Sequence, residues 1–239
     1  NYAASLWLEQ LNRKPSSKAL QLLAMAASYE EVKANDKFTT ERVRSVRDGL
    51  LPIPGTIEEI NGLQAKFGGT FQSVKAADEH SFKKNAPNFG IIHLAMHGIV
   101  DNRQPEYSGL VFTDNPKNTE DDLLHAYEIK SMKLQAELVV LSACETGYGK
   151  YQHGEGVASL GRGFMYAGVP SVVMTLWKLH DQSSILLIAS FYDQLAKGLP
   201  KDEALRQAKL NYLKINSGAT AHPAFWAAFV QLGDRRAIK

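Results

Sequence analysis

The sequence predicts an α/β layered sandwich with a mainly parallel central sheet. Three short apolar runs, rich in branched residues, are Ile91–Ala95, Leu138–Leu141 and Ser171–Leu176. Each run is too short for a helix, and its continuous apolarity is typical of a strand covered on both faces. Helical patterns separate or follow the runs, at Val157–Ala167, Ser183–Lys197 and Lys201–Leu213. Strands that alternate with helices in this way favour a sheet with helical layers on its faces.

The first 50 residues have a different sequence pattern, and we expect them to be helical. The apolar positions that fall at helical spacing are Ala19, Leu20, Leu22, Leu23, Ala26 and Ala27. Pro and Gly are absent between Pro15 and Gly49, and Thr39 resembles a fresh helix start. Residues 1–50 are therefore interpreted as a helical extension, or the end of an upstream helical region, before a domain at 51–239.

Within residues 51–239, the turn and capping residues predict several further elements. Thr56 is expected to cap a helix that runs to Phe67, and a short strand at Thr70–Val74 and a polar helix at 76–85 follow. A hairpin strand is expected at Gly109–Thr113, inside a polar insertion from Asp101 to Asp122. The segment Phe225–Leu232 is expected to be a last strand, with a helix as the open alternative.

Composition excludes several classes of function. The chain has 239 residues, with 44% hydrophobic and 22% charged, which is ordinary for a soluble domain. The net charge of +2 gives no electrostatic reason for a nucleic-acid or membrane partner, and no apolar run is long enough to span a bilayer. Cys144 is the single cysteine, so intramolecular disulfides are excluded and thiolate metal sites are disfavoured. A reducing cytoplasm is the expected compartment.

Two of the predicted core strands end in residues that suggest chemistry. The first strand is followed by His97 and Gly98, and the second by Cys144. Functional groups collect at the carboxyl ends of strands in open α/β sheets. If the two strands are neighbours, His97 and Cys144 emerge side by side, and the imidazole can then take the thiol proton and return it to a leaving amine.

The same placement predicts an oxyanion hole and leaves alternatives open. The backbone N–H groups of Gly98 and Cys144 would donate to the oxyanion. With no obvious carboxylate to orient the imidazole, the sequence predicts a dyad. His93 lies mid-strand and is interpreted as a core histidine, whereas His153 and His180 follow strands and compete with His97. A small buried cysteine without catalytic function is the alternative for Cys144.

The motifs around these residues resemble those of the CHAT-domain family, bacterial relatives of caspases and separases, so a bacterial source is expected. The histidine motif is matched by His93–Gly98, and the cysteine motif by Leu138–Gly147. Further similar segments are Gly154–Val157, Ala167–Val173, Leu176–Trp177, Ala204–Ala208 and His222–Phe229. The resemblance, over about residues 51–234, implies a caspase-like three-layer sandwich and a cysteine endopeptidase without metal or organic cofactor. It implies that Cys144 is the nucleophile, that His97 is the base and that Gly98 is an oxyanion donor.

The resemblance also implies where substrate binds. Caspases use basic residues for acidic substrates, whereas separase-like and gingipain-like enzymes use acidic residues for basic ones. The segment after the third core strand contains Asp181, which is expected to pair with the Arg or Lys before the cut. The competing interpretation is that Asp181 caps the next helix. Trp177, Glu145 and Asp101 are weaker candidates for substrate binding.

The expected partners follow from the same resemblance. The glycine-rich loop after Cys144 is expected to rearrange on activation, with cleavage after Lys150 as a hypothesis. The substrate is expected to be a protein, with a gasdermin-like effector in bacterial defence or cell death as an analogy, and an upstream helical-repeat sensor as regulator. The alternative function is a catalytically silent interaction scaffold. A nucleotide-binding domain is disfavoured, because neither glycine-rich phosphate motif is present.

Overall fold

A computed structural model describes residues 21–29, 50–101, 103–115, 117, 119–142 and 155–238. Within these residues the main feature is a six-stranded sheet in the order β2-β1-β3-β7-β8-β9. Its strands are β1 Leu22–Ala26, β2 Gly69–Ser73, β3 Ile91–Ala95, β7 Leu138–Ser142, β8 Ser171–Thr175 and β9 Phe229–Gly233. A three-stranded antiparallel sheet contains β4 Gly98–Ile99, β5 Gly109–Val111 and β6 Leu123–His125.

The predicted layered α/β architecture is confirmed. Within the six-stranded sheet, strands β1, β2, β3, β7 and β8 are mutually parallel, and the edge strand β9 runs antiparallel to β8. Every residue of β3, β7 and β8 is buried, because helices cover both faces of the sheet. The helices are α1 Pro54–Gln64, α2 Glu79–Asn85, α3 Ala126–Ser131, α4 Glu155–Tyr166, α5 Asp181–Ala196 and α6 Lys201–Ile215. None of the helices in the described residues is both long and apolar enough to cross a membrane.

The helical expectation for the start of the chain is wrong at Leu22–Ala26. These five residues form β1, which pairs in parallel with β2 on one side and β3 on the other. All five are buried, so their apolar run is that of an interior strand rather than one face of a helix. Residues 21, 27–29 and 50 are in neither a helix nor a strand, and residues 1–20 and 30–49 of that expectation lie outside the described residues.

Two local expectations also need correction. Helix α1 begins at Pro54, whose fixed φ suits the first helical position, and the hydroxyl of Thr56 donates to Ile53 O at 2.7 Å instead of capping the helix. The last predicted strand is shorter than expected: a 3₁₀ turn occupies Pro223–Phe225, and β9 begins at Phe229.

Candidate active site

The carboxyl ends of strands β3 and β7 lie at the same edge of the sheet. They pair in parallel from Ile91 opposite Leu138 to Ala95 opposite Ser142. One residue further, the Met96 N–H donates to Ser142 O at 3.3 Å. The predicted adjacency of the two strands is therefore confirmed. Cys144, Glu145, His153 and the predicted loop that contains Lys150 lie outside the described residues.

His97 is held in a fixed orientation at the end of β3. Its side chain is fully buried, and its Nε2 lies 2.7 Å from the carbonyl oxygen of Leu51. A carbonyl only accepts hydrogen bonds, so Nε2 carries the proton and Nδ1 is the basic nitrogen of the neutral ring. The backbone N–H of His97 donates to the hydroxyl of Tyr29 at 2.7 Å, and the two rings lie 4.5 Å apart between centroids.

Sequence reasoning missed both groups that hold His97. The sequence has no obvious carboxylate to orient the imidazole. In the structure, the main-chain oxygen of Leu51 orients it instead. A backbone carbonyl has no residue-type signature, so no motif reveals it. Tyr29 was missed because its segment was interpreted as a helix instead of the continuation of β1.

Gly98 lies in β4, directly after His97. Gly98 pairs with Leu110 of β5, and the His97 carbonyl accepts the Val111 N–H at 2.9 Å. These bonds fix the backbone path directly after His97. The oxyanion function of Gly98 stays a prediction.

Asp181 lines a pocket between α1 and the start of α5. The pocket, called the Asp181 pocket below, is lined by Ile53, Gly55, Thr56, Glu59, Thr175, Lys178, Leu179, Asp181 and Ser184. Helix α5 has His180 at its N-cap position and Asp181 as its first residue, so the expectation of a capping aspartate is wrong. A Cβ at Gly55 would lie 2.6 Å from the Asp181 Cβ, and only glycine lets the two helices approach this closely.

The weaker substrate-binding candidates make local contacts. The Trp177 Nε1–H donates to Ala224 O at 3.0 Å, with the indole partly buried against the core. Asp101 Oδ1 accepts the backbone N–H groups of Arg103 and Gln104, both at 2.9 Å, which stabilises a turn. Among the described residues, neither Trp177 nor Asp101 lines the Asp181 pocket.

The other described histidines differ from His97 in environment. His93 is fully buried and hydrogen-bonded, which confirms its interpretation as a core histidine. His180 is exposed at the start of α5, and His80 is exposed on α2. The His125 Nδ1 lies 2.9 Å from Tyr107 O, and the His222 Nδ1 accepts the Ala224 N–H.

A separate group of carboxylates has the spacing of a metal site, but a lysine occupies its centre. Ligand atoms of Glu79, Glu120 and Glu128 lie within 4.8 Å of one another. The Lys83 Nζ contacts all three carboxylates, at 2.6, 2.8 and 3.0 Å respectively. Burial raises the pKa of Glu79 to about 7. In this group, called the Glu79 cluster, the Lys83 ammonium occupies the position that a metal ion would take.

A parallel sheet whose neighbouring strands lead into a buried histidine and a cysteine defines the caspase-like class of fold. Two of the solved structures that align with this chain share its fold. The structure titled the Saccharomyces cerevisiae separase–securin complex aligns with a TM-score of 0.55 and 15% identity, over 96% of this chain and 13% of that one. The Arg-specific cysteine proteinase gingipain R aligns with a TM-score of 0.54 and 9% identity, over 92% of this chain and 48% of that one.

The sequence profile of the CHAT domain matches residues 1–234, so the chain belongs to the CHAT-domain family. The match includes β1 and the segment before residue 51. Tetratricopeptide repeat protein 28 from Mus musculus and from Homo sapiens is 32% and 34% identical over 114 residues. The match covers 47% of this chain and 4% of each relative's length. Both relatives are mammalian, and the expectation of a bacterial source has no support from them.

Proposed function

We propose that this chain is a cysteine endopeptidase in which Cys144 is the nucleophile and His97 is its general base. The observation that carries the proposal is the parallel pairing of β3 and β7, whose ends lead into His97 and Cys144. Burial and the Leu51 carbonyl hold the imidazole in one tautomer at this edge. Membership of the CHAT-domain family supports the same assignment.

The chemistry uses the basic Nδ1 of His97. This nitrogen takes the Cys144 proton, and the thiolate attacks the scissile carbonyl carbon. The imidazolium then gives its proton to the leaving amine as the C–N bond breaks, which leaves a thioester on Cys144. Water, deprotonated by His97, hydrolyses the thioester and regenerates the thiol. We assign the oxyanion to the N–H groups of Gly98 and Cys144.

The Asp181 pocket is proposed to bind the side chain that precedes the cut. Its charged lining residues are Asp181, Glu59 and Lys178, and both oxygens of Glu59 are bound by buried neighbours, so Asp181 is the acidic residue proposed to meet the substrate. An Arg or Lys side chain of the substrate would form a charge-assisted hydrogen bond with Asp181. Glu145, Trp177 and Asp101 are retained as secondary candidates for substrate contacts.

The test is cleavage of a fluorogenic peptide library by the wild-type chain and four variants. Cys144→Ala and His97→Ala should each lower turnover by at least about 100-fold, since both proton transfer and the nucleophile are lost. His80→Ala, which removes an exposed histidine, is the matched control and should retain full turnover. Asp181→Asn should lower the preference for Arg or Lys over neutral residues by about 30-fold.

Other outcomes discriminate between the alternatives. Turnover after Asp, abolished by Cys144→Ala, would keep the enzyme and discard the Asp181 assignment. No turnover, with slow alkylation of the single thiol by iodoacetamide, would identify a silent interaction domain. Mass spectrometry during turnover tests cleavage after Lys150, and an intact chain that cleaves substrate contradicts it.

Partners are proposed to be proteins. The curated relatives are named tetratricopeptide repeat proteins, and the separase structure contains securin. These names support a helical-repeat module as regulator of the catalytic domain. They give no support to a gasdermin-like effector or a role in bacterial defence. We therefore propose only that the substrate is a protein.

A further inference from the structure

Beneath the candidate site lies a fully buried hydrogen-bond network that the proposed chemistry does not use. Its centre is Glu59 of α1, and its other members are His93, Ser142, Ser184 and Tyr192. Glu59 Oε1 lies 2.8 Å from the His93 Nε2. Its Oε2 accepts the hydroxyl groups of Ser142 at 3.0 Å and Ser184 at 2.9 Å. We call this group the Glu59 network.

The proton positions in the network follow from its partners. The Tyr192 hydroxyl lies 3.2 Å from the His93 Nδ1. Burial, with a further contribution from the charge of Glu59, raises the pKa of Tyr192 well above its ordinary value, so the phenol stays protonated and donates. When the phenol donates to the His93 Nδ1, the Nε2–H of the ring donates to the Glu59 carboxylate. Glu59 receives three hydrogen bonds and is satisfied without a cationic lysine or arginine.

The network joins the elements that carry the proposed chemistry. His93 lies on β3, four residues before His97, and Ser142 ends β7, two residues before Cys144. Ser184 lies on α5, three residues after Asp181, and both residues line the Asp181 pocket with Glu59. One carboxylate therefore contacts both strands that lead to the dyad and the helix that carries the pocket.

The contact at Ser142 is the most direct. Its side chain is bound to Glu59, while its main-chain carbonyl accepts the Met96 N–H, one residue before His97. Movement of Ser142 would alter the separation between the two strand ends. Reactions that need a precise geometry lose rate steeply when the reacting groups are displaced.

We propose that Glu59 is a positioning residue, which fixes the end of the cysteine strand against the histidine strand and the pocket helix through Ser142, His93 and Ser184. This inference rests on the proposed peptidase function. Glu59 acts through these neighbours, so its loss should lower the rate of the chemical step more than the binding of a peptide.

The test compares Ser142→Ala with Ser183→Ala. Both changes remove one buried hydroxyl, but Ser183 lies 3.0 Å from the Tyr212 hydroxyl and makes no contact with Glu59 among the described bonds. Ser142→Ala should lower kcat by about tenfold with little change in KM, because the dyad geometry is loosened while the pocket is retained. Ser183→Ala should leave both constants unchanged. Glu59→Gln should lower kcat further, since it weakens all three contacts.

Alkylation of Cys144 by iodoacetamide near neutral pH gives a second measurement that needs no substrate. The wild-type chain should react faster than free glutathione, and Ser142→Ala should slow the reaction while Ser183→Ala does not. A wild-type rate no faster than that of glutathione would overturn the proposed function and, with it, this inference. A fast wild-type rate with equal kinetics for both serine variants would overturn the positioning function alone.

Discussion

Glu59 and Glu79 are both buried glutamates on helices, 4% and 1% exposed, yet their surroundings differ. Glu59 is bound by two serine hydroxyls and the His93 ring. Glu79 faces Lys83, which it shares with two further carboxylates. A buried carboxylate can therefore be stabilised either by hydrogen bonds from hydroxyl and ring N–H groups or by one ammonium shared among several carboxylates.

The two solutions have different electrostatic consequences. The three hydrogen bonds that Glu59 accepts join α1 to β3, β7 and α5. In the Glu79 cluster, burial raises the pKa of Glu79 to about 7, and nearby Glu128 and Asp121 add to the effect. Burial disfavours the charge of Lys83 as well, but the hydrogen bonds that its ammonium donates to Glu120, Glu79 and Glu128 outweigh burial and raise the lysine pKa. The first network is suited to positioning, and the second should respond to pH.

The largest expected effect is the loss of the Glu59 carboxylate. Glu59→Ala leaves the donors on His93, Ser142 and Ser184 buried without their acceptor, and should lower the free energy of unfolding by about 3 to 5 kcal/mol. Urea titration followed by circular dichroism measures the change. Glu58→Ala, an exposed neighbour on the same helix, should change stability by under about 0.5 kcal/mol. Equal effects at the two positions would contradict the account of the network.

The pH dependence of stability should separate Glu79 from Glu59. The folded-state pKa of Glu79, about 7, exceeds its ordinary value of 4.5. Its protonated form is therefore favoured by folding: the contribution is fully present below pH 4.5 and is lost as the pH rises to about 7. The loss should be about 3 kcal/mol. Glu79→Gln cannot titrate, so its urea midpoint should vary less with pH than that of the wild type, and parallel curves would sink the assignment.

A smaller effect is expected at the far end of the Glu59 network. Tyr192→Phe keeps the buried ring but removes the hydroxyl that donates to the His93 Nδ1. The free energy of unfolding should fall by about 1 kcal/mol. Nitrogen-15 NMR of the histidine rings provides the direct check, because the His93 Nδ1 resonance should shift while that of the exposed His80 stays in place. An unchanged His93 spectrum would exclude the hydrogen bond.

The smallest effect is expected for an exposed ion pair. Lys66 and Asp193 join α1 to α5 at 2.9 Å, with both side chains 43% exposed. Lys66→Ala should cost at most about 1 kcal/mol, and less at high salt, because water screens the pair. Thermal melts at low and high ionic strength measure this. A loss as large as that for Glu59→Ala would remove the contrast between buried and exposed carboxylates.

The sequence predicted the parts of the fold whose signal is local. The unbroken apolar runs at β3, β7 and β8 identified interior strands, and their carboxyl ends identified the edge at which His97 lies. The prediction was wrong at Leu22–Ala26, because the alanine-rich sequence with apolar residues at helical spacing suggested a helix. Pairing with a strand on each side overrides that propensity, because the ladders supply hydrogen-bond partners for the backbone of β1.

For this protein, the sequence by itself determined the alternation of strands and helices, the family motifs and the identity of the single cysteine. Only the tertiary structure decided that the Leu51 carbonyl orients His97, that Tyr29 packs on its ring, and that Glu59 connects α1 to three other elements. The physical reason is distance along the chain. A hydrogen bond between residues separated by tens of positions depends on how the sheet and helices pack, and a main-chain acceptor has no residue type that a motif could reveal.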